Sequence, residues 1–368
     1  MVRPENITID CRLWLTSGIG KYLQNVIPVF VGRFEDINFT LLGDKSVLNG
    51  LDWPHNVVDI IEFTSPIYSI EEQILALQAI PKKCNLLWWP HWNIPLLFRG
   101  QIVTTIYDAF HLRIPKTPRN ILKNLYTNIM FSGISRKSLM TLTLSEFSKK
   151  ELSSLSSIKM EAIHITNLAV DHEWFDFIPL QRKIDKPYIV YVGNVKPHKN
   201  LRTLVKAFIE IIEDIPHTLV IIGKKEGFIT GDKEVQKLAH LFPGRIEFTG
   251  WVDDIEVKNY VANADLMVFP TLYEGFGIPP LEAMACSCPV LASNIPVVRE
   301  VCGDAAIYFD PNNVQALSNL MSTVLDDEQQ RRDIILKGLE RARYYKWDVC
   351  IDKTIDEFSK LFNSTKNQ

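Results

Sequence analysis

Two glutamates flank a turn and a proline pair in residues 269–294, which read FPTLYEGFGIPPLEAMACSCPVLASN. Glu274 lies in a glycine-containing loop, here called the glutamate loop (residues 270–277), and Glu282 lies after the proline pair. Because proline fits the first turn of a helix, the pair predicts that a helix begins directly after the loop. A helix N-terminus after a parallel strand binds anions, and a carboxylate accepts hydrogen bonds from neighbouring sugar hydroxyls. The stretch therefore predicts a site for phosphate and hydroxyl groups, unless Glu282 only complements the helix dipole.

A second candidate site follows the apolar strand predicted at residues 188–193. It has the sequence GNVKPHKN and is here called the lysine loop (residues 193–200). Lys196 and Lys199 lie at the carboxyl end of the strand, where two cations would neutralise a diphosphate and stabilise it as a leaving group. The sequence has no Walker-type lysine motif, no dinucleotide-binding glycine triple and no metal-ligand cluster. We therefore expect that the protein supplies the cations itself and that it needs no cofactor and no metal.

Composition excludes several classes of function. The 368 residues carry a formal net charge of -3, which argues against a dedicated nucleic-acid partner. The six cysteines are scattered without metal-ligand spacing, which favours a reducing compartment. We found no signal peptide and no apolar run long enough to span a bilayer, so we expect a cytoplasmic protein.

Strands alternate with helices along most of the chain, which predicts an α/β protein with two doubly wound, Rossmann-like domains that face each other across a cleft. We place these domains at residues 1–176 and 186–345, with a linker where the periodicity is lost, and a last helix (346–368) that packs back on the first domain. The predicted strands are residues 7–10, 39–43, 57–61, 86–89, 102–108, 139–144, 164–167, 188–193, 218–223, 246–249, 266–269 and 290–292. A helix at residues 69–80 should begin with a capping box of Ser69 and Glu72.

The first domain offers weaker candidates. Gly18 and Gly20 lie between the first strand and a helix, so their amides could face an anion or a sugar, although a tight turn explains the glycines equally well. Asp108 and His111 lie at the carboxyl end of the strand at residues 102–108, and His91 follows the preceding strand. The carboxyl ends of such strands border the crevice of an open parallel sheet, which makes these side chains candidates for contact with a substrate.

Residues 113–137 contain no aspartate or glutamate. We predict that this stretch is helical and apolar on one side. The basic residues of the stretch are Arg113, Lys116, Arg119, Lys123, Arg136 and Lys137. A basic, partly amphipathic surface suits the headgroups of an anionic membrane, which predicts a peripheral contact with the inner face of the plasma membrane. The alternative is a solvated basic face.

Several segments together resemble the retaining nucleotide-sugar glycosyltransferases of family 4, which have the GT-B fold and need no metal. In the second half these segments are YVGNVKPHKNL (191–201), FTGWVDD (248–254), ANADLMVFPTLYEGFGIPPLEAMACSCPV (262–290) and GDAAIYFDP (303–311). In the first half they are SGIGKY (17–22), IVTTIYDAFHLRIP (102–115) and LTLSEFSKKEL (142–152). The first-half segments are most similar to bacterial enzymes that build surface polysaccharides such as O-antigen or capsule, many of which are mannosyltransferases that use GDP-mannose.

The resemblance implies a role for each matching residue. Glu274 would hold hydroxyls of the transferred sugar, and Glu282 would bind the nucleotide ribose. Lys199 would bind the diphosphate, and Lys196 would add charge because Asn194 stands where many members have arginine. The first domain would bind a glycan or lipid-linked acceptor, and the second would bind the nucleotide-sugar. The remaining predicted contacts to the donor are the amides of Phe276, Gly277, Ile278 and Leu281, the base-side pair Trp251 and Val252, and Gly18 and Gly20.

The resemblance also implies a retaining transfer of a hexose. We expect Glu274, Lys199, Asp108 and Tyr107 to be the catalytic residues, with Tyr107 in the position where many members have histidine. Three alternatives stay open from the sequence. The sugar could be glucosyl, rhamnosyl or N-acetylglucosaminyl, the enzyme could be a nucleotide-sugar epimerase, or the chain could be a catalytically silent binding subunit.

Overall fold

The structure is a computed structural model that describes residues 3–16, 18–115, 117, 120–223 and 233–363. The chain forms two compact units, Met1–Leu168 with Trp347–Gln368, and Ala169–Lys346. The first unit therefore ends its first segment at Leu168, a few residues before the boundary region that the sequence suggested at 176–186. Each unit is described by itself below.

The first unit is built on a seven-stranded sheet with the order β3-β2-β1-β4-β5-β6-β7, in which the paired strands are parallel. Its strands are β1 (Asn6–Asp10), β2 (Asn38–Gly43), β3 (Val57–Glu62), β4 (Leu86–Trp89), β5 (Gln101–Thr105), β6 (Ser138–Thr143) and β7 (Ile163–Ile165). The central strands are buried along their length, as apolar runs covered by helices on both faces should be. The strand order reverses between β1 and β4, and the ligand crevices of open α/β sheets form at such a point.

Helices cover this sheet. They are α1 (Ile19–Arg33), α2 (Lys45–Leu48), α3 (Ile70–Ala79), α4 (Ile121–Lys137), α5 (Glu146–Leu155) and, from the last segment of the chain, α13 (Trp347–Asn363). The predicted return of the last helix is confirmed. Phe358 of α13 is fully buried, and its ring centroid lies 4.7 Å from that of Phe30 on α1 and 4.8 Å from that of Trp88 on β4. The helix is therefore part of the core of the first unit.

The second unit has a six-stranded parallel sheet with the order β10-β9-β8-β11-β12-β13. Its strands are β8 (Tyr188–Val192), β9 (Thr218–Ile222), β10 (Ile246–Gly250), β11 (Leu266–Phe269), β12 (Val290–Ser293) and β13 (Ile307–Phe309). Its helices are α6 (Leu201–Glu210), α7 (Lys233–His240), α8 (Asp254–Ala262), α9 (Ile278–Ala285), α10 (Pro296–Cys302), α11 (Val314–Asp326) and α12 (Glu328–Tyr344). The order reverses between β8 and β11, so the lysine loop and the glutamate loop both leave the sheet at this point.

Some predicted boundaries were wrong. The helix expected over residues 113–137 begins only at Ile121, because Pro115 keeps the preceding chain out of the α region, and a short 3-10 helix (Phe110–Arg113) lies upstream. Lys116 and Arg119 of the basic stretch lie outside the described residues. The strand expected at 102–108 ends at Thr105, and β13 was not predicted because three residues give no periodicity. Within the described ranges, no helix is both long and apolar enough to cross a membrane.

Candidate functional site

The lysine loop and the glutamate loop are joined to each other by hydrogen bonds. Asn200 adopts a left-handed backbone conformation (φ 55°) at the start of α6, and its side-chain amide donates to the carbonyl oxygen of Pro270 at 3.0 Å. The Leu272 amide donates to the carbonyl oxygen of His198 at 2.7 Å, and the Thr271 hydroxyl donates to the same oxygen at 3.1 Å. The loops after β8 and β11 therefore form one connected structure at the carboxyl edge of the sheet.

An ion pair lies within this structure. The Lys199 Nζ atom is 2.5 Å from Glu274 Oε1, and the two side chains expose 22% and 13% of their surface. A pair with this exposure is neither a surface bridge nor a core bridge, so water and polar ligands reach both partners. The sequence predicted both residues as site residues, and the structure brings them together from different loops.

The glutamate loop ends at the N-terminus of α9. Gly277 precedes this helix with φ 93°, a conformation that side chains rarely adopt, and a Cβ atom there would lie 3.4 Å from the Phe269 ring. Pro279 and Pro280 occupy the first turn as predicted. Because Pro279 and Pro280 have no N–H, the amides without an acceptor within the helix at this end are those of Gly277 and Ile278. They lie next to the ion pair at the positive end of the helix dipole.

Burial and neighbouring charges shift the pKa values of two residues in and beside the lysine loop. The pKa of His198 is lowered to about 4, first by burial and then by Lys199 and Lys196, so this imidazole is neutral at pH 7. Burial, and after it the charge of Glu274, raises the pKa of Tyr191, whose hydroxyl donates to the Asn194 carbonyl oxygen at 3.2 Å. Tyr191 thus stays protonated and holds the turn after β8. Sequence reasoning identified Tyr191 only as a residue of a buried strand.

The other predicted donor contacts of the second unit occupy varied surroundings. Asn194, Lys196 and Trp251 are exposed, and Val252 is half-buried. Phe276 and Leu281 bury their side chains, which leaves only their predicted backbone contacts to a ligand. Glu282 is the fifth residue of α9. Burial and, after it, the charge of Glu282 raise the pKa of Cys286 to about 12. The roles assigned to these residues, together with Gly277 and Ile278, stay predictions.

The two glycines of the first unit differ. Gly18 has φ 74° at the start of α1, and a Cβ atom there would meet nothing within 4 Å. Gly20 has a packing reason to be glycine, because a Cβ atom would lie 2.4 Å from the Trp14 carbonyl oxygen. The Gly20 amide already donates to the Thr16 carbonyl oxygen at 3.0 Å, which favours the tight-turn alternative at this position. Ser17 of the same motif lies outside the described residues.

Tyr107 and Asp108 lie just after β5. Asp108 Oδ1 accepts a hydrogen bond from the Phe110 amide at 2.9 Å, which fixes the turn that follows. The Tyr107 ring packs edge-on against Tyr22 at 5.8 Å, and its hydroxyl oxygen is buried without a hydrogen-bond partner in the described part of the chain. Burial, with a smaller contribution from Tyr22, raises its pKa. Contact between this hydroxyl and a sugar would need the side chain to move, so its catalytic role stays a prediction.

Sequence reasoning missed a buried charge cluster in the first unit. Arg12 Nη2 lies 2.8 Å from both Asp10 Oδ2 and Glu72 Oε1, and its guanidinium lies 4.1 Å from the centroid of the Phe63 ring. Burial raises the pKa of Glu72 although Arg12 opposes this effect. The only signal in the sequence was an arginine two residues after an aspartate at the end of β1.

The predicted capping box of Ser69 and Glu72 is only half right, because the Glu72 carboxylate belongs to this charge cluster. The Glu72 amide donates to Ser69 Oγ at 2.9 Å, as expected for the cap of α3. The Glu72 carboxylate, however, accepts from the Tyr68 amide at 2.8 Å and pairs with Arg12 instead of returning to Ser69. Tyr68 thereby links the cluster to His91 and His111, whose Nε2 atoms lie 3.2 Å and 3.5 Å from its hydroxyl oxygen.

Comparison with solved structures identifies the fold class. Sucrose-phosphate synthase from Thermosynechococcus elongatus matches with a TM-score of 0.79 and 17% sequence identity, over 98% of this chain and 100% of that chain. HepE from Anabaena, solved in complex with UDP-glucose, matches with a TM-score of 0.74 and 14% identity, over 98% and 99% of the two chains. The protein has the GT-B fold of glycosyltransferases.

Sequence comparison identifies the family. The model of the glycosyl transferases group 1 family matches residues 173–341. The O-antigen chain mannosyltransferase B of Escherichia coli is 30% identical over 272 residues, which are 70% of each chain. The O-antigen chain mannosyltransferase RfbU of Salmonella typhimurium is 28% identical over 276 residues, or 74% of each chain. The chain belongs to the glycosyl transferases group 1 family and is a glycosyltransferase.

Proposed function

We propose that the protein transfers mannose from GDP-mannose, with retention, to a hydroxyl of a glycan or lipid-linked glycan in the synthesis of a surface polysaccharide. The observation that carries the proposal is the Lys199–Glu274 pair beside the N-terminus of α9. The choice of mannose rests on the names of the relatives from Escherichia coli and Salmonella typhimurium. The UDP-glucose complex of HepE supports a nucleotide-sugar as the donor.

The pair and the helix divide the chemistry of transfer between them. Lys199 and the amides of Gly277 and Ile278 at the start of α9 stabilise the negative charge that grows on the diphosphate as the sugar–phosphate bond breaks. Glu274 accepts hydrogen bonds from hydroxyls of the sugar and favours its oxocarbenium-like state. The acceptor hydroxyl attacks the anomeric carbon from the face that the diphosphate leaves, and its proton passes to a phosphate oxygen. Anomeric configuration is therefore retained.

We further propose that the transfer needs no metal ion. Burial and, after it, the charges of Lys199 and Lys196 lower the pKa of His198, and positive charge of this kind is what a diphosphate requires. Transfer that persists unchanged in excess EDTA supports this part of the proposal, and loss of transfer that added Mg²⁺ restores contradicts it.

A donor screen tests the function as a whole. The thermal midpoint should rise with the concentration of GDP-mannose more than with equal concentrations of UDP-glucose, UDP-N-acetylglucosamine or dTDP-rhamnose, because a ligand stabilises the state that it binds. Radiolabelled mannose should then pass to a bacterial membrane extract. A larger shift with UDP-glucose would instead favour the glucosyl alternative, for which the HepE complex is the supporting observation.

A matched pair of variants makes the screen specific. Glu274→Gln should abolish transfer and leave the thermal midpoint without ligand unchanged, whereas Glu328→Gln on the exposed face of α12 should change neither. Binding of GDP-mannose without transfer to any extract would overturn the proposal in favour of a silent subunit. Conversion of the donor into a second nucleotide-sugar without an acceptor would overturn it in favour of an epimerase.

We also propose that α4 contacts an anionic membrane. Its apolar residues Ile121, Leu122, Leu125 and Ile129 each expose at least 47% of their surface. At about 100° per residue these positions fall within an arc of roughly 100° on one side of the helix. Arg136 falls on the same side, and residues 113–137 contain no acidic residue. An apolar stripe with basic and no acidic neighbours suits the headgroup region of anionic lipid.

Two basic residues of the stretch at residues 113–137 are already engaged in contacts within the protein. Arg113 is paired with Glu151, and the Lys137 ammonium donates to the carbonyl oxygens of Leu96 and Phe98. Burial lowers the pKa of Lys137. Membrane affinity should therefore depend on the apolar stripe more than on these two residues.

Liposome sedimentation at low salt tests this contact. Leu122→Asp should reduce binding to vesicles that contain phosphatidylglycerol by about tenfold, because it removes apolar area and adds a negative charge. Leu336→Asp on α12 replaces another exposed leucine and should leave binding unchanged. Equal retention of both variants, or equal binding of the parent protein to neutral vesicles, contradicts the contact.

A further inference from the structure

Three loops of the first unit bring an aromatic and histidine cluster to the carboxyl edge of its sheet. Tyr68 comes from the segment after β3, His91 and Trp92 follow β4, and His111 follows β5. The Tyr68 ring centroid lies 5.1 Å from that of Trp92, 5.4 Å from that of His91 and 5.6 Å from that of His111. The donor chemistry of the second unit uses none of these residues.

The hydrogen bonds of His91 fix the direction in which Tyr68 donates. His91 is 5% exposed, and its pKa is lowered to about 3, mainly by burial, so the ring is neutral. Its Nδ1 atom accepts from the Asn93 amide at 3.0 Å, which places the single ring proton on Nε2. Nε2 therefore donates to the Tyr68 oxygen at 3.2 Å, and the phenolic proton of Tyr68 points away from His91.

The backbone of Tyr68 has a strained conformation. Tyr68 has φ 69°, which is rare for a bulky residue and costs free energy. The fully buried Glu72 stabilises this conformation, because its carboxylate accepts the Tyr68 amide while Arg12 holds the carboxylate in place. Strain that a buried charge cluster maintains is typical of residues that position a ligand.

The resulting surface combines two kinds of contact. The Tyr68 side chain packs one side against Trp92, and the residue remains 44% exposed, so part of its aromatic ring is open to solvent. Burial raises the pKa of its phenol to about 12, so the hydroxyl stays protonated and can donate a hydrogen bond. His111 lies half-exposed beside it, with Nε2 3.5 Å from the Tyr68 oxygen. A pyranose presents apolar C–H groups on one face and hydroxyls at its rim, which match an aromatic ring bordered by a phenol and an imidazole.

We propose that Tyr68, with His111 beside it, binds the terminal sugar of the acceptor glycan. The inference rests on the proposed glycosyl transfer and names the acceptor contact of the first unit. Tyr68 is a binding residue in this proposal: its ring packs against the apolar face of the sugar, and its hydroxyl donates to a sugar hydroxyl. His91 and Glu72 act through Tyr68 by fixing its proton and its backbone.

Two variants separate the ring from the hydroxyl. With α-1,3-mannobiose as the acceptor probe and GDP-mannose as the donor, Tyr68→Ala should raise the acceptor KM by about tenfold or more, as loss of an aromatic contact predicts. Tyr68→Phe keeps the ring and should raise this KM by about threefold to tenfold, as loss of one hydrogen bond predicts. Tyr344→Ala removes a more exposed tyrosine of the second unit and should leave the KM unchanged.

Two further measurements distinguish this proposal from the donor chemistry. The midpoint shift with GDP-mannose and the slow hydrolysis of GDP-mannose without acceptor should be unaffected by Tyr68→Ala. Direct titration of the full chain with α-1,3-mannobiose by saturation-transfer NMR should show binding that Tyr68→Ala weakens. Absence of binding to the parent protein, or an acceptor KM within twofold of the parent value in Tyr68→Ala, overturns the acceptor contact. Absence of GDP-mannose binding and turnover in the parent protein overturns the proposed function instead.

Discussion

The two units place charge differently at equivalent points of their sheets. In the first unit, Arg12 follows β1 and is enclosed with Asp10 and Glu72, so that 4%, 3% and 0% of the three side chains are exposed. In the second unit, Lys199 follows β8 and pairs with Glu274 at 22% and 13% exposure. Both clusters lie where the strand order reverses, yet only the second leaves its charges within reach of a ligand. Topology thus specifies where charges gather, and burial decides whether they stabilise the fold or bind a substrate.

Removal of the first cation should give the largest loss of stability. Arg12→Ala leaves two carboxylates buried without a counter-charge, and we expect a cost of about 3–5 kcal/mol in the free energy of unfolding. Arg332→Ala removes an exposed arginine that pairs with Glu328 and should cost less than about 1 kcal/mol. Differential scanning calorimetry of both variants measures the difference. A loss below 1 kcal/mol in Arg12→Ala would mean that the cluster is not structural.

Removal of the second cation should affect turnover and not stability. Lys199→Ala should lower the rate of transfer by about 10²–10³-fold, the usual cost of one preorganised group that stabilises transition-state charge. Its midpoint should stay within a degree or two of the parent value, because its partner Glu274 remains accessible to water. Lys206→Ala serves as the control, since this exposed lysine of α6 pairs with Glu234. Turnover within fivefold of the parent rate would remove Lys199 from the proposed chemistry.

The smallest expected difference between the two units is in how their stability depends on pH, through His91 in the first unit and His198 in the second. Burial lowers the folded-state pKa of His91 from 6.5 to about 3, so the unfolded chain binds more protons between these values. The associated stability is complete above pH 6.5 and is lost as pH falls toward 3. Between pH 7 and pH 5 this loss amounts to about 2 kcal/mol. His198, with a pKa of about 4, acts in the same direction but more weakly, because solvent reaches its ring.

His91→Asn tests this pH dependence, since its side-chain oxygen can accept the Asn93 amide in place of Nδ1. Thermal midpoints at pH 7, 6 and 5 should fall less steeply for the variant than for the parent protein. The corresponding His198 variant should keep nearly the parent slope. Identical slopes for parent and His91→Asn would show that His91 becomes protonated without unfolding.

The sequence predicted those features that depend on neighbouring residues. The alternation of apolar strands and helices defined two parallel sheets, and Pro279 and Pro280 located the start of α9. Lys199 and Glu274 were identified as partners of one ligand because each follows a strand of the same predicted sheet.

Features that depend on distant residues were missed. Glu72 has the spacing of a capping residue, but its carboxylate is drawn to Arg12, sixty residues upstream. The burial of the Tyr107 hydroxyl beside Tyr22 was not predicted either, and its contact with a sugar stays a prediction. Tyr68 was not recognised at all, because the Glu72 carboxylate that accepts its amide is itself held by the distant Arg12. Local patterns carry no record of such contacts.

The position of α13 has a consequence for synthesis of the protein. The strands and first helices of the first unit leave the ribosome early, but Phe358 joins Phe30 and Trp88 only about two hundred residues later. At about 5–20 residues per second, the surface of the nascent first unit that α13 will cover, including Phe30 and Trp88, stays exposed for roughly 10–40 s. The second unit emerges in full during that interval and can fold first. A ribosome-associated chaperone would therefore find its binding site on the older half of the nascent chain.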